Sequence, residues 1–247
     1  MIAYLLPVWY HFLKNHQYKG TNTMTKEFYQ TIETYMRSCM DDSAHDCEHV
    51  YRVLYNALEI AKAESVDHDI LITACLLHDI GRVDQVKDPT LCHAQVGSEK
   101  AYAFLLELGM DAAFAEQVKH CIQTHRFRKN LSPQTTEAKI LFDADKLDVT
   151  GAIGIARTLM YRGTLTEPLY RHLPDGTISD GTEDLGHSFF REYKFKLEKL
   201  YDRFFTARGA ELAKERRAIA AAFYENLYKE VNEGYTAGKE ALTELLK

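Results

Sequence analysis

The segment from Asp69 to Asp79 constrains the fold most. Ile70, Leu71, Ile72, Ala74, Cys75, Leu76 and Leu77 leave it apolar nearly all round, and it ends in His78 and Asp79. A helix without a polar face belongs inside a protein, enclosed by other elements. Gly81 follows, in the place where a glycine ends a helix. The chain therefore calls for a central helix with an imidazole and a carboxylate at its last turn.

The rest of the chain supplies elements to enclose it. Only 13 Gly and 5 Pro punctuate 247 residues, and between them the apolar period is helical. The pattern predicts helices over Thr25–Met40, Asp46–Ala63, His93–Leu108 (closed by Gly109), Asp111–His125, Glu137–Asp148 and Ile153–Arg162. A long helical tail follows from His187 to Lys247, with Gly209 and Gly234 as breaks. In the second of these helices Val50, Val53, Leu54, Ala57, Leu58 and Ala61 form one stripe, and Asp111 is an acidic N-cap. No alternating pattern is sustained, so the fold class is all-α, a single helical bundle. Residues 163–186 hold Gly163, Pro168, Pro174 and the turn pairs Asp175-Gly176 and Asp180-Gly181. This stretch reads as a loop or lid, with a two-strand ribbon as the weaker alternative. The expected organisation is an extension over 1–24, a helical core over 25–162, the loop over 163–186, and C-terminal helices over 187–247 packing on the core. Met24 stands as an alternative start just before the first clean helical pattern.

Composition excludes some classes. The formal net charge is -6, whereas a protein that coats nucleic-acid phosphates carries a basic excess. A small phosphorylated substrate is still allowed, because a bound divalent cation inverts the local sign. The 5 cysteines include no CxxC pair and read as reduced thiols in a cytoplasmic protein. No apolar run approaches the ~20 residues of a membrane span, and the first residues lack the basic and cleavage regions of a signal peptide.

The chemistry lies in polar residues at apolar positions. His49 falls on the apolar stripe one turn before Val53; alone, it reads as a core histidine. His78-Asp79 is harder to explain so, because a buried carboxylate needs a partner or a metal. Asp145 lies among the apolar neighbours of Leu141. Each has a plain reading as a core ion pair or cap. Together they offer two imidazoles and two carboxylates, a set that suits Mn, Fe, Co, Ni or Zn better than Mg. The geometry stays open at this point.

The ordered set His45-Asp46-x-x-His49-x-x-Arg52-Val53, His78-Asp79-Ile80-Gly81-Arg82, Glu137-Ala138-Lys139-Ile140 and Asp143-Ala144-Asp145-Lys146-Leu147-Asp148-x-x-Gly151-Ala152-Ile153-Gly154 resembles the HD-domain metal-dependent phosphohydrolases, in their small stand-alone bacterial branch. The likeness spans roughly residues 25–232 and includes the stretch Thr206 to Arg216. It implies one divalent metal, Mn foremost, held by His49, His78, Asp79 and Asp145. A one-metal site is favoured because the His-His and Gly-Tyr-Pro signatures of multi-metal relatives are missing. It implies hydrolysis of a nucleoside or deoxynucleoside triphosphate to the monophosphate and pyrophosphate. The alternatives are a 5′-nucleotidase or other phosphomonoesterase, and a nucleotide-sensing module without turnover.

Roles follow for the remaining groups. Asp79 has a second oxygen with which to orient water. Arg82 and Lys146 are candidates to hold phosphate oxygens. Arg52 either reaches phosphate or pairs with Asp46 or Asp145. His120 and His125 are candidate phosphate contacts or proton donors to the leaving group, and His93 reads equally as a cap or core residue. Asp46 and Asp148 fit supporting roles around the ligands. Gly151 to Gly154 lacks the pattern of a phosphate loop and reads as a close approach of two helices. The partner is a small phosphorylated substrate, with no nucleic acid or membrane; a homodimer is compatible with this reading.

Overall fold

The structure is a computed structural model and describes residues 23–40, 47–126 and 131–247. Residues 1–22 of the expected extension, His45 and Asp46 of the motif, and residues 127–130 of the basic loop lie outside the described residues. The described residues form α-helices with no strand among them, and an isolated bridge between His172 and Ile178 falls short of the two-strand ribbon considered for this stretch. The all-α class is thus observed.

The chain divides into two compact units, the first through Phe142 and the second from Asp143. In the first, α1 (Lys26–Cys39), α2 (Cys47–Ala61), α3 (His68–Leu77), α4 (Arg82–Lys87), α5 (His93–Glu107) and α6 (Ala112–Thr124) follow in order. The helix starts are set by side chains that take up otherwise unpaired amides. Thr25 accepts from Phe28 N, Asp67 from Asp69 N and Ile70 N, and Asp111 from Ala113 N. α5 closes at Gly109 with paired bonds, Gly109 N to Leu106 O and Met110 N to Leu105 O, the αL ending expected of that glycine.

α3 is central, as its sequence demands. It packs against α1, α2, α5 and α6, and Ile70, Leu71, Ala74, Cys75, Leu76 and Leu77 are all buried. Gly81, however, does not end it in the left-handed conformation. The regular helix stops at Leu77, and Gly81 caps the start of α4 with φ -92°. Its small size is needed for another reason: a Cβ there would stand 2.6 Å from Gly97 N and would collide with the carbonyl of His93. The turn after Asp79 therefore lies directly on the first turns of α5.

α7 (Thr136–Leu147) contains the division between the units. The second unit continues with α8 (Gly151–Thr164), α9 (Phe189–Phe195), a short 3-10 turn (Leu197–Lys199) and α10 (Ala207–Leu245). α8 packs on α10. Gly151 has φ +60°, and a Cβ there would stand 3.0 Å from Arg216 Cβ, so the expected close approach of two helices is real at this position. Gly154 instead packs on its own preceding turn, where a Cβ would stand 3.0 Å from Val149 Cα. Gly209 and Gly234 do not break the tail. Gly209 lies in the first turn of α10, and Gly234 lies within this 39-residue helix. With nothing within 4 Å of a Cβ at Gly234, the residue only weakens an exposed helix by about 1 kcal/mol.

Candidate metal centre

Four helices of the first unit each end or begin near one carboxylate. His49 comes from α2, His78 is the C-cap of α3, His93 opens α5 and His125 caps α6. All four rings and Asp79 are at most 2% exposed. On one side of the carboxylate, Asp79 Oδ2 lies 3.5 Å from His49 Nε2 and 3.6 Å from His78 Nε2, and those two nitrogens are 3.3 Å apart. On the other, Asp79 Oδ1 lies 3.5 Å from His93 Nε2 and 3.7 Å from His125 Nε2. Asp79 thus belongs to two groups that could hold a metal, His49-His78-Asp79 and Asp79-His93-His125.

The outer nitrogens decide which atoms point inward. His78 Nδ1 donates to Cys75 O at 2.7 Å, and His125 Nδ1 to Ile122 O at 2.5 Å. A neutral ring that donates from Nδ1 presents a bare lone pair at Nε2. His93 Nδ1 has two neighbours, Gln85 Oε1 at 2.5 Å and Arg126 Nη1 at 3.0 Å. The shorter contact is to an acceptor, which assigns the proton to His93 Nδ1 and the lone pair again to Nε2. Burial, followed by the Arg82 guanidinium, depresses the His93 ring to a pKa of about 2, so it is neutral at physiological pH. Burial alone would raise the Asp79 carboxyl. The cationic groups that face it, His78 when protonated and Arg82, hold it well below the usual carboxylate range.

These facts test the fit of a metal. Asp79 Oδ2, His93 Nε2 and His125 Nε2 are buried without a hydrogen-bond partner. Buried polar atoms in this state are rare and destabilising. Several electron pairs turned toward one point repel each other, and a divalent cation relieves the repulsion. The donor set of imidazoles with a carboxylate suits a transition ion, and each inward nitrogen is oriented by an outer hydrogen bond in the manner of metal-ligating histidine.

The other candidate residues scatter more widely in role. Arg82 Nε donates to Asp79 Oδ1 at 2.9 Å, leaving its two terminal nitrogens for another anion. His120 is half-buried, belongs to neither group, and accepts from Gln134 N at 3.3 Å. Arg52 is half-buried on α2. In the second unit, Asp145 is half-buried on α7. Lys146 donates to Arg203 O at 2.8 Å, and burial lowers its pKa to about 8. Asp148 is buried and bound to Arg157 at 2.6 Å, which gives it a structural employment. Nothing in the sequence pattern singles out Gln85 or Arg126, and it leaves His93 undecided. The one signal for His93 is its position, opening a helix soon after the His-Asp pair.

Helices that bring histidines to a buried Asp of a His-Asp pair define a class of metal-binding all-α proteins. Residues 47–150 match the family described as HD domain. The chain is 33% identical over 208 residues to the uncharacterized protein YpgQ of Bacillus subtilis, covering 82% of this chain and 93% of that one. The crystal structure of Bacillus subtilis YpgQ in complex with ADP is similar, with TM-score 0.65 and 30% identity over 82% of this chain and 97% of that chain. An HD-superfamily hydrolase from Bacillus thuringiensis has TM-score 0.66 and 29% identity, covering 86% of this chain and 99% of that one. The chain belongs to the HD-domain superfamily of hydrolases. Among the described residues, no helix is long and apolar enough to cross a membrane.

Proposed function

We propose that this protein is a metal-dependent phosphohydrolase that cleaves a nucleoside or deoxynucleoside triphosphate to the monophosphate and pyrophosphate. The observation that carries the reading is the convergence of four buried imidazoles on the Asp79 carboxylate. The ADP bound in the YpgQ crystal structure supports a nucleotide as the ligand class.

His49, His78 and Asp79 would hold the cation, with Asp145 as the fourth ligand on the strength of the motif. A divalent ion there supplies Lewis-acid polarisation of a phosphoryl oxygen and makes water more acidic. The residues of the chain do the rest. Arg82, tethered by its Nε to Asp79, offers its terminal nitrogens to two phosphate oxygens, the bidentate geometry a guanidinium favours. Arg126, beside His93, adds positive charge on the same side of the carboxylate. His125 is a candidate acid by its position in the sequence, but its Nδ1 proton is given to Ile122 O, so its inward nitrogen would serve as a ligand. His120 accepts at Nε2 and is the remaining candidate proton donor, through Nδ1.

A specific observation extends this beyond one cation. The second group, Asp79-His93-His125, shares the carboxylate, and we infer that these residues would hold a second cation. The test combines activity with metal content. Purified protein is loaded with Mn and assayed on a nucleotide panel, with pyrophosphate and phosphate measured separately. Pyrophosphate release supports the reading. Phosphate release from monophosphates replaces it with a phosphomonoesterase, and no release with a sensing module. Metal analysis giving two ions per chain, falling to one in His93→Ala, supports the second cation; one ion in both proteins rejects it.

A further inference from the structure

Two neighbours compete for one nitrogen of His93. Gln85 Oε1 lies 2.5 Å from Nδ1 and can only accept, whereas Arg126 Nη1 lies 3.0 Å from it and can only donate. A neutral imidazole carries one N–H, so Nδ1 serves one neighbour or the other. The choice decides what the buried ring presents at its opposite edge. With the proton at Nδ1 and given to Gln85, Nε2 turns a lone pair toward Asp79, the form in which imidazole binds a cation. With Nδ1 accepting from Arg126, Nε2 carries the proton, and Asp79 Oδ1 at 3.5 Å stands ready to accept it. That second form is closed to a cation.

Arg126 and Asp79 both favour the closed form, and Gln85 opposes them. Three placements tip the balance toward Gln85. Its contact is the shorter of the two at Nδ1. Arg82 Nε already donates to Asp79 Oδ1 at 2.9 Å, which weakens the claim of that oxygen on the His93 proton. Gln85 also stands three residues after Arg82 on α4, so one face of this helix carries both contacts. α4 is fixed against α5 by Lys100 Nζ, which donates to Asp84 Oδ2 at 2.5 Å, and by the approach of Gly81 to Gly97. Helix packing therefore sets the place of Gln85, whereas Arg126 reaches His93 at the end of a long side chain from just beyond the C-cap of α6.

We propose that Gln85 is a positioning residue, which takes the Nδ1 proton against the pull of Arg126 and so keeps His93 in the tautomer that can hold the second cation. The proposal rests on the two-cation reading of the centre, but the tautomer is measurable without metal. The full chain, carrying nitrogen-15-labelled histidine and stripped of metal, is studied by long-range proton–nitrogen NMR, with His93→Gln identifying the His93 signals. The wild type should show a protonated Nδ1 and a bare Nε2. Gln85→Leu, which cannot accept, should move the proton to Nε2; Gln85→Glu, which can, should leave it at Nδ1. Calorimetric titration with Mn should show the second ion bound about 10–100-fold more weakly by Gln85→Leu, with the affinity regained in Gln85→Glu. A proton at Nε2 in the wild type overturns the proposal, as does an unmoved proton in Gln85→Leu. Two ions per wild-type chain, with the second held equally tightly by Gln85→Leu, overturns it too. One ion per wild-type chain defeats the two-cation reading instead, and the spectra then decide the role of Gln85 alone.

Discussion

Both units bury charge, but they treat it differently. In the second unit the buried Asp143 and Asp148 and the half-buried Arg162 are satisfied by the chain itself. Asp143 accepts from Phe205 N, Thr206 N and Thr206 Oγ1, Asp148 is paired with Arg157, and Arg162 joins Glu167 and Glu192. In the first unit Asp79 is ringed by four imidazoles, and its own Oδ2 and the His93 Nε2 are buried without a hydrogen-bond partner. A satisfied buried carboxylate fixes the fold, here by anchoring the start of α10 to α7. An unsatisfied one marks a place for a ligand from outside. Among the described residues, Asp184 is the one acidic group of the second unit with a buried oxygen that has no hydrogen-bond partner, and its other oxygen accepts from the Ser188 hydroxyl.

This contrast can be broken by exchanging the consequences. The largest effect is expected for Asp79→Asn: hydrolysis should fall by more than about 100-fold, beyond the loss usual for groups that merely support a metal ligand, and bound metal should vanish in elemental analysis. Retained metal with full turnover would remove Asp79 from the chemistry. Asp143→Ala should do the reverse. It strands the amides of Phe205 and Thr206, costing about 2–4 kcal/mol in denaturant unfolding, while folded protein keeps its metal. Loss of metal from folded Asp143→Ala would mean that the two carboxylates are not so different in role.

Removing metal by chelation should lower the Tm of the wild type and leave that of Asp79→Asn unmoved, because only a ligand bound to the native state adds stability, about 2.7 kcal/mol at a hundredfold excess over Kd. Smaller still is a graded pair at the turn after Asp79. A Cβ at Gly97 would stand 3.2 Å from Gly81 N, a contact that small shifts relieve, whereas one at Gly81 meets backbone at 2.6 Å. Gly81→Ala should therefore destabilise by about 1–3 kcal/mol and Gly97→Ala by less, in parallel thermal unfolding curves. The smallest effect is chemical. Burial pushes the Cys121 thiol up to about 12, so at pH 8 roughly one thiol in 10⁴ is ionised, and iodoacetamide should spare it in native protein; fast labelling before unfolding would show that α6 opens.

Much of the fold and part of the site are legible in the sequence, for identifiable reasons. α3 is legible because no surface helix can be apolar all round, and His78-Asp79 because a carboxylate at its end needs a partner. The caps Thr25 and Asp111 act locally and can be read locally. The inner ring of histidines is less legible: His93 and His125 reach Asp79 only through the packing of α5 and α6, and the first residue of a helix looks like a cap until its neighbours are known. Gly81 is legible as a special position but for the wrong reason, since sequence alone does not distinguish a left-handed ending from a backbone contact. Gly234 misleads because a glycine in an exposed helix lowers stability without interrupting it.

The contact of Gly81 with α5 also gives the centre a mechanical asymmetry. His93 is carried on the helix that rests on Gly81, while His49 and His78 are held by α2 and α3. A methyl group introduced at Gly97 would act as a shim under α5, moving one jaw of the carboxylate's grip and leaving the other in place. The two halves of the centre should accordingly be tunable one at a time, without altering any residue that faces Asp79.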